Sequence, residues 1–337
     1  MSLATIARVL DLQPIPNADK IERARVFGWD VVTKKGLHNL GDLVCFISPD
    51  TNVPKQLLDP SYEGHETVRL KTIKLKNQYS AGLLVPLSAL PGGREYAEGD
   101  DVAEILRISK YEAPIPAQLH GEASGGFPTQ YIPKTDELNF RSWPEAIEEL
   151  KESRFDDAQF IATLKLDGTS TTYLVDVNRN FLACSRNYTL ERSNNTIWRL
   201  AENLNIESSL MSYPRRLALQ GEVYGEGIQK NTAKIKGQNF AVFLARDLDS
   251  GEWLDWDSTM KFCQDHNIAH VPEVVRCSRG ACLDFEHWQT LANNACYEAG
   301  SMAEGLVVRS IKPIYSRIMQ KFWWSVKVMN QAYDAAK

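Results

Sequence analysis

"FIATLKLDGTSTTYLVD", Phe160 to Asp176, consists of two apolar, β-branched runs joined through Lys165, Leu166, Asp167 and Gly168. The pattern predicts a strand headed for the interior, with a lysine set between Leu164 and Leu166, where an ammonium group loses water. A lysine amine attacks an electrophile only when neutral, and desolvation or nearby cations lower its pKa toward that state. Lys-x-Asp-Gly alone is a weak signal, expected by chance in roughly one chain in ten of this length. Its meaning depends on the residues that accompany it.

Downstream, the runs "RLALQGEVYG", "NFAVFLARDL", "AEGLVVRS" and "FWWSVKVMN" predict strands. "SNNTIWRLAENLN", "WDSTMKFCQDHN" and "FEHWQTLANNACYEA" predict helices between them, so this half is an α+β domain with a mostly antiparallel sheet. Upstream, from Ala4 to about Leu106, short alternating runs are broken at "PNAD", "KKG" and "PGG". That rhythm predicts a small closed β-barrel of OB-like length. The intervening "APIPAQLHGEASGGFPTQYIPKTDE" is rich in Pro, Gly and Ala and reads as a linker wrapping onto the second domain. "SWPEAIEELKE" then opens a helix, with Ser142 as cap and Pro144 in the first turn. The expected boundaries are a barrel over 1–110, a linker over 111–142 and the α+β domain over 143–337.

The 337 residues suffice for two domains, and 43% hydrophobic with 24% charged residues is an ordinary globular composition. A net charge of -5 excludes nucleic-acid binding by bulk charge and requires a local basic patch instead. Six cysteines without a CxxC pair, and the absence of a leader in "MSLATIARVLDLQ", point to free thiols in a reducing, cytoplasmic compartment. No apolar run approaches the ~18 residues of a membrane span.

Four further features follow Lys165 in order: Glu222 beside Gly221 in "LQGEVYGEG", Phe240 and Phe243 in "NFAVF", Glu304 ahead of "GLVVRS", and Lys327 in "SVKVMN". With Lys165 they resemble the ordered motifs of the covalent nucleotidyltransferases, the superfamily of ATP-dependent RNA and DNA ligases and messenger-RNA capping enzymes. "PIPNADKIERARVFGWDVVTKKG", "TIKLKNQYSAGLLVPLSAL", "TLKLDGTS" and "GEVYGEGIQKN" extend the likeness over almost the whole chain. It is most similar to the ATP-dependent RNA ligases of the fifth family. With ten residues after Lys327, the C-terminal OB domain of DNA ligases is not expected.

The resemblance implies an N-terminal OB-like β-barrel followed by an ATP-grasp-like nucleotidyltransferase domain with antiparallel sheets. It implies a monomer that uses ATP with Mg²⁺ or Mn²⁺ and joins RNA 3′-hydroxyl and 5′-phosphate ends, as in a nicked duplex. Lys165 would attack the α-phosphorus of ATP and hold AMP, with Thr163 and Leu164 beside it. Asp167 and Gly168 would shape the presenting turn, although Asp167 reads equally as a turn residue bonding its own backbone. Glu222 would meet the ribose, and Phe240 or Phe243 the adenine. At a spacing of three, a straight strand points those two rings to opposite faces, so at most one stacks, and Phe243 is preferred. Glu304 would hold the metal, and Lys327 would contact the α-phosphate. Ser325 and Met329 stand where a second lysine is common, leaving Lys327 alone unless Lys321 folds back. Arg186 would reach ribose or phosphate, or sit on a surface hairpin. After "TDE", Asn139 stands where the family usually has an arginine, and Arg141 comes later.

For RNA, Arg69, Lys71, Lys74 and Lys76 cluster in "VRLKTIKLK" with only Glu66 nearby. Arg69 and Lys71 share one face and Lys74 and Lys76 the other, unless the chain bends near Thr72. His266 and His270 in "HNIAH" have helical spacing but lack a third ligand, so no zinc site is expected. The competing functions are a ligase acting on DNA strands and a non-catalytic nucleic-acid-binding module.

Overall fold

Two strands, Gln159–Leu164 and Thr169–Val175, stop short of each other, and the four residues Lys165 to Gly168 pass between them from one sheet to another. Lys165 therefore lies one residue beyond its strand rather than within it. The computed structural model describes residues 2–58, 61–92, 95–111 and 123–336. Residues 112–122 of the expected linker lie outside the described residues.

The chain divides into two compact units, one of 1–113 with 139–145 and 331–337, the other of 114–138 with 146–330. The first unit is an OB fold. Its strands are β1 (Ala4–Pro14), β2 (Ile21–Val26), β3 (Trp29–Lys34), β4 (Leu43–Ile47), β5 (Thr51–Pro54), β6 (Thr67–Leu70), β7 (Ile73–Leu75), β8 (Gln78–Ser80), β9 (Leu83–Pro86) and β10 (Ser109–Lys110). They form sheets in the orders β3-β2-β1-β4-β9 and β10-β5-β6, with β7-β8 as a separate hairpin. β1 pairs with β4 through its first half and with β2 through its second, with a bulge between Val9 and Asp11, which lets one strand turn a barrel corner. Ile6, Cys45 and Val85 fill one core, and Val9, Val26, Val31 and Phe46 fill another.

Residues 139–145 close onto this unit. Gly28 N donates to Arg141 O at 3.0 Å, and a Cβ on Gly28 would meet that oxygen at 2.9 Å. Ser142, expected as a helix cap, instead accepts from Trp29 Nε1 at 3.1 Å.

The chain continues with β11 (Ala123–Gly126), with β12 (Leu138–Asn139) and α1 (Pro144–Glu149), each partly in the first unit, and then in the second unit with β13 (Gln159–Leu164), β14 (Thr169–Val175), β15 (Phe181–Cys184), β16 (Tyr188–Leu190), α2 (Thr196–Asn203), α3 (Ile206–Ser212), β17 (Leu217–Gly225) and β18 (Gln238–Asp247). The second unit ends with α4 (Trp256–Asp265), β19 (Ala269–His270), β20 (Glu273–Ser278), α5 (Arg279–Cys282), α6 (Phe285–Asn294), β21 (Gly305–Ser310) and β22 (Ser325–Met329). One sheet runs β11-β16-β15-β14-β17-β18-β19 and the other β12-β22-β21-β13-β20. β13 pairs antiparallel with β20 and β21, β21 with β22, β14 with β15 and β17, β15 with β16, and β17 with β18, whereas β18 and β19 run parallel. Behind the larger sheet, Tyr173 packs edge-on to Phe240 at 4.9 Å and donates to Ile197 O at 2.7 Å, which anchors α2. Among the described residues no helix is long and apolar enough to cross a membrane.

Candidate active site

Two close backbone approaches hold the turn that carries Lys165. A Cβ on Gly168 would lie 2.3 Å from Val223 O and 2.8 Å from Glu222 Cγ, so only glycine lets the turn meet β17 there. Gly305 has φ +149 and faces Val328 O, which a Cβ would meet at 2.3 Å. Between them, Lys165 N donates to Gly305 O at 2.9 Å, and Lys165 Nζ donates to Glu304 Oε2 at 2.7 Å.

Tyr297, which the sequence reading missed, ties these two residues together. Its buried hydroxyl donates to Lys165 O at 2.8 Å and accepts from Glu304 N at 3.2 Å. Burial pushes its phenol up to about 12. The expected helix over "FEHWQTLANNACYEA" ends at Asn294. Tyr297 N then bonds Ser301 O and Gly300 N bonds Tyr297 O, each at 2.8 Å, closing a turn with Gly300 at φ +75. Its one sequence clue is that glycine, three residues on, which favours a turn over a longer helix.

Burial opposes the charge on Lys165, but Glu304, Glu222 and Asp167 outweigh it and hold the amine above its ordinary value. At rest it is held as an ammonium. Glu222 moves the other way: loss of water, reinforced by Glu304 and Asp167 and opposed by Lys165 and Arg186, pushes its carboxyl up to about 8.

Cross-strand register fixes which residues share this face. Thr163, Val307 and Lys327 form one row across β13, β21 and β22, and Ile161, Arg309 and Ser325 the next. Leu164, by alternation, turns to the core face. Lys327 is half-buried in its row. On the larger sheet, Ser170 pairs with Glu222 and Thr172 with Gln220.

The segment 132–138 straps across these strands. Gln220 Nε2 donates to Pro133 O at 2.9 Å, Thr135 Oγ1 meets Ser170 Oγ at 3.1 Å, and Lys134 Nζ donates to Asn187 Oδ1 at 2.8 Å. Arg186 lies 3.8 Å from Asp136. Glu137 accepts from Arg309 Nη2 at 2.7 Å, and Lys321 stands 3.7 Å from it while donating to Asp136 O. Burial would raise the Glu137 carboxyl, but Lys321, Arg309 and Ser325 hold it down to about 2. Lys321 is thus engaged on the strap.

A bulge separates the two phenylalanines. Gly221 pairs with Val242 and Gln220 with Leu244, leaving Phe243 as the extra residue. Phe240 is fully buried against Tyr173, whereas Phe243 is half-buried and its carbonyl accepts from Arg309 Nη1 at 2.7 Å.

Other expected positions separate. In the first unit, Arg69 is engaged by Asp50 at 2.6 Å and lies over the Tyr111 ring at 4.1 Å. The chain does break at buried Thr72, between β6 and β7. Beyond the break, Lys74 and Lys76 are exposed on the β7-β8 hairpin, Lys74 over the Tyr79 ring at 4.9 Å, and Lys71 is exposed just before it. Arg141 Nη1 donates to Gly28 O at 3.3 Å and lies 3.9 Å from Asp30, a placement internal to the first unit. The helical spacing expected of His266 and His270 fails because α4 ends at Asp265, and His270 lies on β19.

The family comparisons agree with this architecture. Residues 158–323 match the RNA ligase model and residues 3–87 match an OB-fold domain model. A search of curated proteins found no match. The chain is similar to solved structures of the Naegleria gruberi RNA ligase. One is a lysine-to-alanine mutant with ATP and Mn, at 32% identity and TM-score 0.86, covering 100% of this chain and 99% of that one. Another is a glutamate-to-alanine mutant with AMP and Mn, at 31% identity, TM-score 0.86 and the same coverage. A third is the ligase with PPi, at 32% identity and TM-score 0.84, covering 99% and 98%. A covalent nucleotidyltransferase fold preceded by an OB domain is thus the class. The chain belongs to the RNA ligase family.

Proposed function

We propose that the protein is an ATP-dependent RNA ligase that seals a 3′-hydroxyl to a 5′-phosphate, as at a nick in duplex RNA, through an AMP held on Lys165. The observation that carries this reading is Lys165 Nζ bound to Glu304 at 2.7 Å, on the sheet face that also bears Thr163 and Lys327.

Before attack Lys165 gives up a proton, and Glu304 Oε2 is within hydrogen-bond reach to receive it. The Nζ lone pair then forms a bond to the α-phosphorus of ATP as the α–β bridging P–O bond breaks, and pyrophosphate leaves with that electron pair. The adenine lies on Phe243, the ribose meets Glu222 and Arg186, and Thr163 and Leu164 flank the nucleophile. Asp167 and Gly168 shape the turn that presents it. Lys327, with Lys321, meets the phosphates as charge develops. In the second step an oxygen of the RNA 5′-phosphate takes AMP from Lys165, breaking the N–P bond. In the third the 3′-hydroxyl attacks that 5′-phosphorus and AMP departs. Positioning and charge neutralisation supply most of the catalysis.

A divalent metal fits these residues. The carboxylates of Glu304, Glu222 and Asp167 all act on Lys165, and the raised Glu222 carboxyl marks a place where an added cation relieves charge. Among the described residues no three carboxylate, imidazole or thiolate groups are arranged to hold an ion alone. Glu304 would hold Mg²⁺ or Mn²⁺, which when bound would neutralise phosphate charge.

The OB unit, read as residues 1–110, would hold RNA through Lys71, Lys74 and Lys76, with Arg69 supporting them. The linker would cover 111–142 and the catalytic domain 143–337. A monomer in a reducing, cytoplasmic compartment suits six cysteines that are all free.

Incubation with α-labelled ATP and Mg²⁺ or Mn²⁺ tests the reading. Label should remain on the protein through a denaturing gel and vanish in Lys165→Ala. Absence of label on the wild type would instead favour a non-catalytic binding module. Nicked duplexes with ribose or deoxyribose at the 3′ side then separate RNA from DNA substrates.

A further inference from the structure

The connection between β17 and β18, "EGIQKNTAKIKG", Glu226 to Gly237, carries three lysines and one acid, a local charge of +2 (3 − 1) in a chain whose net charge is -5. It has a fixed shape. Buried Ile228 anchors it, Glu226 N donates to Gly237 O at 2.7 Å, and Asn231 Nδ2 donates to Ile235 O at 3.0 Å. Lys234 N donates to Asn231 O at 2.9 Å, with left-handed backbone at Gln229, Asn231 and Lys234.

Its attachments place it at the catalytic turn. Gln229 Nε2 donates to Gly168 O at 3.4 Å, and Thr232 O accepts from Ser301 Oγ in the loop that carries Tyr297. Lys230, Lys234 and Lys236 are exposed, and among the described residues Lys234 and Lys236 form no ion pair.

We propose that Lys230, Lys234 and Lys236 form a phosphate-binding rail for the RNA strand whose 5′-phosphate end reaches Lys165. This rests on the ligase reading above. A strand whose end reacts at Lys165 must carry its remaining phosphates away past the rim of the turn, and this loop forms part of that rim. Lysines on a rigid loop meet a regular row of phosphates as point charges, without reading bases, which suits an enzyme that joins ends of any sequence. In the proposed mechanism ATP would have a separate cation, Lys327, on β22 of the other sheet.

The test is the triple variant Lys230→Ala/Lys234→Ala/Lys236→Ala beside the triple arginine variant. Self-adenylylation by ATP, which needs no RNA, should stay within about twofold of wild type. The KM for nicked RNA duplex should rise about tenfold or more. The slope of log binding constant against log salt should fall by about 0.9 for each phosphate that is no longer neutralised, and the arginine variant should restore both. An unchanged KM and salt slope with intact self-adenylylation overturns the proposal, as does an equal loss in self-adenylylation and sealing. Fluorescence anisotropy with a labelled nicked RNA duplex measures affinity and salt slope without catalysis. It therefore judges the rail even if wild-type protein takes no label from ATP, an outcome that would sink the ligase reading alone.

Discussion

Lys165 Nζ and Glu304 Oε2, 139 residues apart in sequence, are joined by a 2.7 Å charge-assisted hydrogen bond. In this resting pair the lysine is held as an ammonium, and in the proposed mechanism the carboxylate takes its proton. Glu304→Gln keeps the shape and removes the base. Self-adenylylation should fall about 10²-fold to 10⁴-fold, measured as labelled AMP per protein, while the far-UV circular dichroism stays unchanged.

Tyr297→Phe removes one hydroxyl and with it the hydrogen bonds to the Lys165 carbonyl and the Glu304 amide. Stability should drop by about 1–3 kcal/mol in denaturant melts. The kcat of self-adenylylation should fall with little change in the KM for ATP, because the tyrosine hydroxyl bonds the backbone of Lys165 and Glu304 and, in the proposed mechanism, would position the nucleophile. A KM effect without a kcat effect would contradict that role.

The raised Glu222 carboxyl makes stability depend on pH. Its ordinary value is 4.5 and the fold pushes it up to about 8, so between these values folding takes up a proton. The resulting stabilisation is complete below 4.5 and is lost as pH rises through about 8. Between about pH 5 and about pH 8, the melting temperature of the ligand-free wild type should decline more steeply than that of Glu222→Gln.

Glu137 has the opposite sign. Lys321 and Arg309 hold it down to about 2, so its contribution is present above 4.5 and fades as pH falls toward 2. Glu137→Gln leaves the Arg309 guanidinium and the Lys321 ammonium without their carboxylate. Unfolding free energy at neutral pH should fall by about 3 kcal/mol or more, and the acid limb of the stability profile should flatten.

At Gly168 a methyl group would meet Val223 O at 2.3 Å, and backbone cannot yield as a side-chain tip can. Gly168→Ala should cost about 1–3 kcal/mol and displace Lys165, reducing lysyl-AMP formation disproportionately to the loss of fold. Gly92→Ala, where nothing lies within 4 Å and the backbone is outside the left-handed region, serves as the control for glycine loss alone.

Patterns between near neighbours in the chain account for the local structure. Short, nearly continuous apolar and β-branched runs set β13, β14, β17 and β21, and the breaks between them put Lys165, Glu222 and Glu304 at strand ends or on one strand face, where a site can form. Short range also explains the errors. An extended run through "TLKLDGTS" hid the fact that Lys165 leaves its strand, and a continuous helical pattern through "ANNACYEA" hid the turn at Gly300 that frees Tyr297. Which side chains converge is a matter of long-range packing. The bulge opposite Gly221 separates Phe243 from Phe240, Glu137 reaches Arg309 across 172 residues, and Arg69 is held by Asp50. Those outcomes depend on cross-sheet register and on charges brought out of water together, and neither is written in the spacing of nearby residues.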